Sequence, residues 1–162
     1  MRNKITKLDQ ARRIREEARA AGKVVVFTNG CFDVLHAGHV DYLEAAKSHG
    51  ALLIVGLNSD ASMRRIKGPE RPLNSFVDRA AVLAGLSAVD VVVEFDEDDP
   101  LRLIQALLPD ILVKGADWAE DKIIGADAVK AAGGQVVRVK LTAGRSTSDL
   151  IRRIVERQGR KK

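Results

Sequence analysis

The sequence predicts an α/β fold, a single doubly wound domain with about five parallel strands. Three observations lead there. Short runs rich in Val, Ile and Leu recur along the chain, and their hydrophobicity is continuous rather than alternating, as in strands covered on both faces. Segments with helical start and stop signals separate these runs. The 162 residues, 46% of them hydrophobic, suffice for one buried core, and no internal repeat, low-complexity segment or linker divides them.

Taken in order, the charged start leads into a helix over about 6–21, with Thr6 and Asp9 spaced as a capping box. A core over about 22–157 follows. VVVFT (24–28) is the first strand, and the turn NGCFDVLHAGH feeds a helix that begins near His39 and stops at Gly50. LLIVGL (52–57) is the second strand. The stretch after it places Arg64, Arg65, Lys67 and Arg71 among Gly68, Pro69 and Pro72, which reads as a cationic loop. Ser75 with Asp78 caps the next helix, and VDVVVEF (89–95) is the third strand. Asp99-Pro100 supplies a cap and a first-turn proline for LRLIQALL, before the fourth strand DILVKG (110–115). Gly133-Gly134 stops the following helix, and QVVRVK (135–140) is the fifth strand. A last helix begins in GRSTSDLIRRI, and residues 158–162 make a basic tail.

Composition removes several classes of function. One cysteine, Cys31, excludes an internal disulfide and suits a reducing cytoplasm, the expected location. No apolar run approaches the length of a membrane span and no signal peptide is visible, so no membrane partner is expected. The net charge of +5, with the basic end RRIVERQGRKK, suits an anionic substrate or nucleic acid, though a solvated terminal helix face and tail is the favoured reading of that end. With one Trp, one Tyr and four Phe there is no platform for stacking single strands, and no nucleic-acid partner is expected. A GxGxxG fingerprint and a Walker loop are both absent, as are a Ser-His-Asp arrangement and a paired-carboxylate signature.

In such a fold, ligands sit outside the carboxyl ends of the strands. The segments expected there hold the unusual chemistry. In the first, Gly30 and Gly38 let backbone approach a ligand, and a helix N-terminus aims N–H groups and a positive dipole end at one spot. His36 and His39 placed at that spot donate hydrogen bonds to phosphate oxygens. As His-x-x-His without a third ligand they make a poor zinc site, so no metal ligand is assigned. The cationic segment is positioned to cover a triphosphate, and Ser146, Thr147 and Ser148 add hydroxyl and backbone donors at another helix start. Phosphoryl and nucleotidyl transfers are catalysed mainly by positioning and charge stabilisation. A phosphate monoester, with a second pKa of about 6, attacks as an anion and needs no general base.

These residues resemble a known family. GCFDVLHAGHVDYLEAAKSHG, with GRSTS before the last helix, is similar to the HxGH-type nucleotidyltransferases, which include glycerol-phosphate cytidylyltransferases. FTNGCFDVLHAGHVDYL, VGLNSD, IKGPERPLN, LPDILVKGADW and GGQVV together resemble the adenylyltransferases of bacterial ADP-heptose synthesis, over roughly residues 22–157. That activity is often one domain of a bifunctional protein that also carries a sugar kinase, and this chain looks like the stand-alone transferase.

The resemblance implies a Rossmann-like domain of the HxGH type, extending over residues 1–162. It implies attack of D-glycero-D-manno-heptose 1-phosphate on the α-phosphorus of ATP, with Mg²⁺ on the triphosphate, giving ADP-heptose and pyrophosphate for lipopolysaccharide or other surface glycans. By the same resemblance His36, His39 and Lys67 are catalytic. Asn29, Gly30, Cys31, Phe32, Gly38, Ser146, Thr147 and Ser148 surround the nucleotide phosphates. Asp60, Arg79, Asp117 and Trp118 match substrate- or nucleotide-binding positions, Trp118 being equally readable as a partly buried anchor. Asp33 reads as a turn-holding carboxylate, and a homo-oligomer is implied. Ser-Thr-Ser stands where Ser-Thr-Thr is typical. Leu141 stands where cytidylyltransferases tend to have arginine, which weakens the CTP reading; Arg145 is the residue that would compensate, and the sequence does not give its direction. A cytidylyltransferase for a polyol phosphate and a non-catalytic nucleotide-binding regulator are the rival readings.

Overall fold

Parallel strands, six in number, make one sheet in the computed structural model of the chain, which describes residues 2–140 and 144–159. The strands are β1 (Ile5–Thr6), β2 (Val25–Gly30), β3 (Leu52–Asn58), β4 (Val91–Phe95), β5 (Ile111–Gly115) and β6 (Gln135–Val139). They lie in the order β1-β4-β3-β2-β5-β6. The helices are α1 (Leu8–Ala20), α2 (Ala37–Lys47), α3 (Asp60–Lys67), α4 (Phe76–Gly85), α5 (Leu101–Leu107), α6 (Ala126–Ala131) and α7 (Thr147–Gly159).

The continuous apolar runs are strands buried on two faces. Val25, Phe27, Ile54, Val91, Val93 and Leu112 point one way and pack with Leu103, Ile104 and Leu107 of α5, Val129 of α6 and Ala11 of α1. Val26, Leu53, Val55, Val92 and Val113 point the other way, against Tyr42, Leu43 and Ala46 of α2 and Ala80 and Leu83 of α4. Successive side chains of a strand alternate between these two cores. At the amino-terminal edge, carboxylates satisfy the first strand amides. Asp110 accepts from Val25 N–H (2.8 Å), and Asp90 accepts from Leu53 N–H (2.7 Å) while pairing with Lys47.

Three expectations change. The sheet has a sixth strand, β1, whose two residues pair with Val92 and Val93 of β4 and are too few to leave a periodic signal. Thr6 therefore belongs to a strand instead of capping the first helix. That helix starts at Leu8 after Lys7, without a side-chain cap. The cationic segment is not a loop throughout: Arg64, Arg65 and Lys67 occupy the last turns of α3, where cations complement the carbonyl end of the helix. Arg65 turns away to Asp98 (2.6 Å), and Arg71 pairs with Asp33. The cap at Ser75 is as expected, its Oγ accepting from Asp78 N–H, and Asp99 accepts from Leu101 N–H at the start of α5.

Two ionic clamps fix the carboxyl edge of the sheet. Arg79 of α4 is 1% exposed, and its guanidinium donates to the carbonyls of Asn74, Cys31 and Asn58 and to the Asp60 carboxylate, at 2.7–3.1 Å. It thereby joins the ends of β2 and β3 to the starts of α3 and α4. Asp33, also buried, accepts from Leu73 and Asn74 N–H and from Arg71, tying the α3–α4 connection onto the turn after β2. These bonds hold the Asp33 carboxyl below its usual range, against the opposing effect of burial, which is the largest single influence on it.

The chain reverses its direction of travel across the sheet at β2, which has β3 on one side and β5 on the other, so a crevice opens above β2 and β5. Because Arg79 is buried with its partners, replacing it leaves their oxygens without donors. Arg79→Met is expected to lower the unfolding free energy by about 3–5 kcal/mol. Asp60→Asn is expected to cost less, since three carbonyl partners remain. Urea denaturation measures both, and a midpoint for Arg79→Met equal to the parent's contradicts the assignment.

Candidate active site

A cavity of about 790 Å³ occupies that crevice. Asn29 to Phe32 at the end of β2, Lys114 to Trp118 at the end of β5, and the starts of α2 and α7 form its walls. Ile66 and Lys67 of α3, Asp98 to Pro100 before α5, and Ile123 and Ile124 complete them.

Local geometry at the β2–α2 turn follows from sequence. Phe32 adopts a positive φ of 44° with its ring buried, which turns the chain sharply after β2. His36 occupies the N-cap position of α2 in an extended conformation, and Gly38 and His39 fall in the first turn. A Cβ at Gly38 would lie 3.1–3.2 Å from Arg145 and the His36 ring, closer than ordinary contact, so glycine lets both side chains close over the helix start. Tyr42, one turn on, anchors the helix. Its hydroxyl shares a hydrogen bond with Thr28 (2.7 Å) and meets the Val113 carbonyl (3.2 Å), and burial pushes its pKa up to about 12.

The two imidazoles stack with ring centroids 3.9 Å apart, and Phe32 meets His39 edge-on at 5.3 Å. Burial, helped by the neighbouring His36, lowers the His39 pKa to about 4; burial and Arg145 also lower that of His36. Both rings are therefore neutral at pH 7. His39 Nδ1 accepts from the His36 amide (3.4 Å), which leaves the proton on Nε2 as a donor. His36 Nδ1 is buried without a hydrogen-bonding partner among the described residues, an uncommon state that an incoming ligand relieves.

Most of the expected site residues converge on this cavity. His36, Gly38, His39, Lys67, Asn29, Gly30, Cys31, Phe32, Asp117, Trp118, Ser146, Thr147 and Ser148 all line it. Ser146 Oγ caps α7 by accepting from Asp149 N–H (3.1 Å), so the α7 N-terminus opens into the same space. Trp118 is 49% exposed at the rim, an open surface and not a buried anchor. Burial raises the Cys31 thiol pKa, which suits a packed side chain. Asp60 and Arg79 lie outside the lining, bound to each other beneath it, and their geometry is that of a support for the β2 turn. Leu141 lies outside the described residues, as do positions 160–162 of the basic tail.

The structure adds to the site. Arg145, named from sequence without a direction, lines the cavity beside Gly38, and Lys114 is a lining residue that sequence reading missed. The Lys114 ammonium is bonded to Asn29 Oδ1, and burial lowers its pKa to about 8. A signal existed: a lysine near the end of a strand apolar on both faces must carry its amine to the sheet edge.

Comparisons with known proteins agree with this geometry. Residues 27–153, which contain the β2–α2 turn, β5 and the α7 N-terminus, match a protein family described as cytidylyltransferase-like. The bifunctional protein HldE of Syntrophotalea carbinolica is 54% identical over 155 residues, covering 96% of this chain and 32% of the relative. HldE of Mesorhizobium japonicum is 63% identical over 130 residues, covering 80% and 26%. The chain thus spans about a third of the length of these curated relatives or less. The lipopolysaccharide core biosynthesis protein of Thermoplasma volcanium superposes with a TM-score of 0.61 at 27% identity, over 74% of this chain and 97% of that one. A pantoate-β-alanine ligase from Francisella tularensis shares the fold, with a TM-score of 0.63 at 17% identity over 89% and 68%. With a match that takes in every residue lining the cavity, the chain belongs to the cytidylyltransferase-like nucleotidyltransferase family.

Proposed function

We propose that this chain is a sugar-phosphate adenylyltransferase, one nucleotidyltransferase domain that joins ATP and D-glycero-D-manno-heptose 1-phosphate to give ADP-heptose and pyrophosphate. The observation that carries the reading is the His36–His39 turn. It places neutral imidazole donors and two helix N-termini around one cavity that also receives Lys67, Lys114 and Arg145. The resemblance of FTNGCFDVLHAGHVDYL, VGLNSD, IKGPERPLN, LPDILVKGADW and GGQVV to the adenylyltransferases of ADP-heptose synthesis directs the acceptor to a heptose phosphate and the nucleotide to ATP. The relatives named HldE support the same reading.

In this reading the triphosphate lies against the starts of α2 and α7. A phosphate oxygen of the sugar phosphate forms a new bond to the α-phosphorus, the α–β bridging bond breaks, and pyrophosphate leaves with the electron pair. His39 Nε2–H and His36 donate to the oxygens on which charge accumulates, while Lys67 and Arg145 neutralise the leaving group. Mg²⁺ supplies further neutralisation of the triphosphate when bound. The described residues contain no group of three or more His, Cys, Asp or Glu side chains fit to hold a metal. No helix among the described residues is long and apolar enough to cross a membrane. The exposed apolar side chains of Leu73, Val77 and Val82 support the homo-oligomer in the same reading.

Pyrophosphate release tests the proposal directly. Turnover is expected with ATP and heptose 1-phosphate; turnover confined to CTP and glycerol 3-phosphate establishes the polyol-phosphate alternative, and silence with every pair favours a regulator. His39→Asn is expected to lower kcat about 10²–10³-fold while ATP binding, read by calorimetry, is retained. Equal loss of both contradicts a role in the transition state. The same residue shapes stability against pH. Its folded pKa, about 4, lies below the ordinary 6.5, so the native state resists charging it. The contribution is complete above about 6.5 and is lost as pH falls toward 4. The melting temperature should therefore fall less between pH 7 and 5 in His39→Asn than in the parent, and parallel curves contradict this.

A further inference from the structure

The cavity straddles the edge of the sheet. Phe27 and Leu112 belong to the core beneath α1, α5 and α6, and Asn29 and Lys114 each follow two residues later, so they project to that same side. Val113 and Thr28 face the opposite side, where Tyr42 of α2 meets both. The histidine turn and Arg145 thus stand over one face of the sheet, and Lys114 over the other. Near Lys114 the lining changes character: Asp117 follows it and is the charge that acts on its ammonium, and Ile123 and Ile124, further along the same segment, are apolar. Asp98 and Asp99 line the cavity from the end of β4, two strands beyond β2, where Asp98 is already paired with Arg65.

From this division we infer that Lys114 is the residue that binds the acceptor's phosphate, on the face of the sheet opposite the pyrophosphate-holding histidine turn. The inference rests on the nucleotidyl-transfer reading above. In-line displacement puts attacking and leaving oxygens on opposite sides of the phosphorus. The α2 side, with helix N-termini and Arg145, suits the leaving pyrophosphate, so the attacking phosphate requires a cation across the edge. Lys114 is the lining cation that the sheet itself fixes there; Lys67 enters from the end of α3, which bonds to the same face through Asn58 and Ser62. A triphosphate is disfavoured beside Asp117, whereas a monophosphate finds one ammonium and its sugar hydroxyls find a carboxylate acceptor. Asn29 Oδ1 holds the ammonium in place before the acceptor arrives.

Lys114 also makes acceptor capture sensitive to pH. Burial lowers its pKa to about 8, only partly opposed by Asp117, so the free enzyme loses this cation above that pH. The ionisable groups sharing the cavity are His36, His39 and Tyr42 from α2, Cys31 after β2, Lys67 from α3, Asp98 and Asp99 before α5, Asp117 and Arg145, and burial pushes the Tyr42 hydroxyl up to about 12, out of this range. The histidines are already neutral there, and the Cys31 thiol is pushed upward, away from this range.

Steady-state kinetics of the full chain with Lys114→Gln and Lys114→Arg tests the inference. Lys114→Gln is expected to raise the KM for heptose 1-phosphate about tenfold or more while leaving the KM for ATP within about twofold. For the parent, kcat/KM for the acceptor is expected to fall above pH 8, a fall that Lys114→Gln lacks and Lys114→Arg moves to higher pH. An unchanged acceptor KM, an equal rise for ATP, or the same decline in every variant overturns the inference while the parent's turnover leaves the adenylyltransferase reading intact. If the parent itself does not turn over, that reading fails separately. Inorganic phosphate titrated into protein saturated with a non-hydrolysable ATP analogue then decides, with weakening at least fivefold in Lys114→Gln expected and equal affinity contradicting it. Should Lys114→Gln not fold, the pH profile and phosphate affinity of Lys114→Arg serve as the measurement.

Discussion

The Arg79 guanidinium is the constraint on which the site depends. Four oxygen partners from the ends of β2 and β3 and the starts of α3 and α4 converge on one buried cation. A buried charge is tolerated only when its donors are satisfied, so the position of each partner is coupled to the others. The Cys31 carbonyl is one of them, and the sharp turn at Phe32 follows immediately. The direction in which the chain leaves β2, and hence where His36 and His39 come to rest, is set from below by a side chain that never reaches the cavity. Asp33 repeats the device one step later by drawing Arg71, Leu73 and Asn74 onto the same turn.

With the turn fixed, the cavity divides its tasks between neutral and charged groups. The stacked imidazoles, 3.9 Å apart, disfavour charge on each other, and burial keeps them neutral, so in the proposed reading they act as directional donors. In that reading charge neutralisation falls to Lys67, Lys114 and Arg145, which enter from α3, β5 and the segment before α7. A neutral donor costs less to desolvate than an imidazolium and does not compete with these cations for position. Proton transfer is not needed if the nucleophile is already a phosphate anion, which accounts for a site rich in donors and without a general base.

What the sequence disclosed and concealed has a physical pattern. The five long strands were legible because burial on both faces leaves runs such as LLIVGL and VVVEF without polar interruption. β1 was not, because two residues carry no period, and Thr6 then offered the wrong cap. The β2–α2 turn and the α7 start were legible because His-x-Gly-His and Ser-Thr-Ser are rare combinations at strand-to-helix junctions. Depth was not. Arg79 sits on a helix that exposes Val77 before it and Val82 after it, and nothing local marks it as the 1% exposed member. Arg71 resembled a free loop cation, yet its partner Asp33 lies 38 residues earlier, a pairing only the fold creates. Resemblance assigned Asp60 and Arg79 to a binding position; the geometry places them one layer beneath it.

The two-sided cavity also bears on how such a fold accommodates different acceptors. In the proposed reading the groups that meet the nucleotide phosphates come from the β2–α2 turn and the α7 start, whereas the acceptor meets Lys114 and the residues that follow it at the end of β5. The two sets are carried by different segments and separated by the sheet edge. On that reading a change at Asp117 or Ile124 alters the shape and polarity offered to an acceptor without passing through the Arg79 clamp or the stacked histidines. The chemistry is then held on one side and the choice of acceptor on the other, a separation that lets one fold serve many substrates.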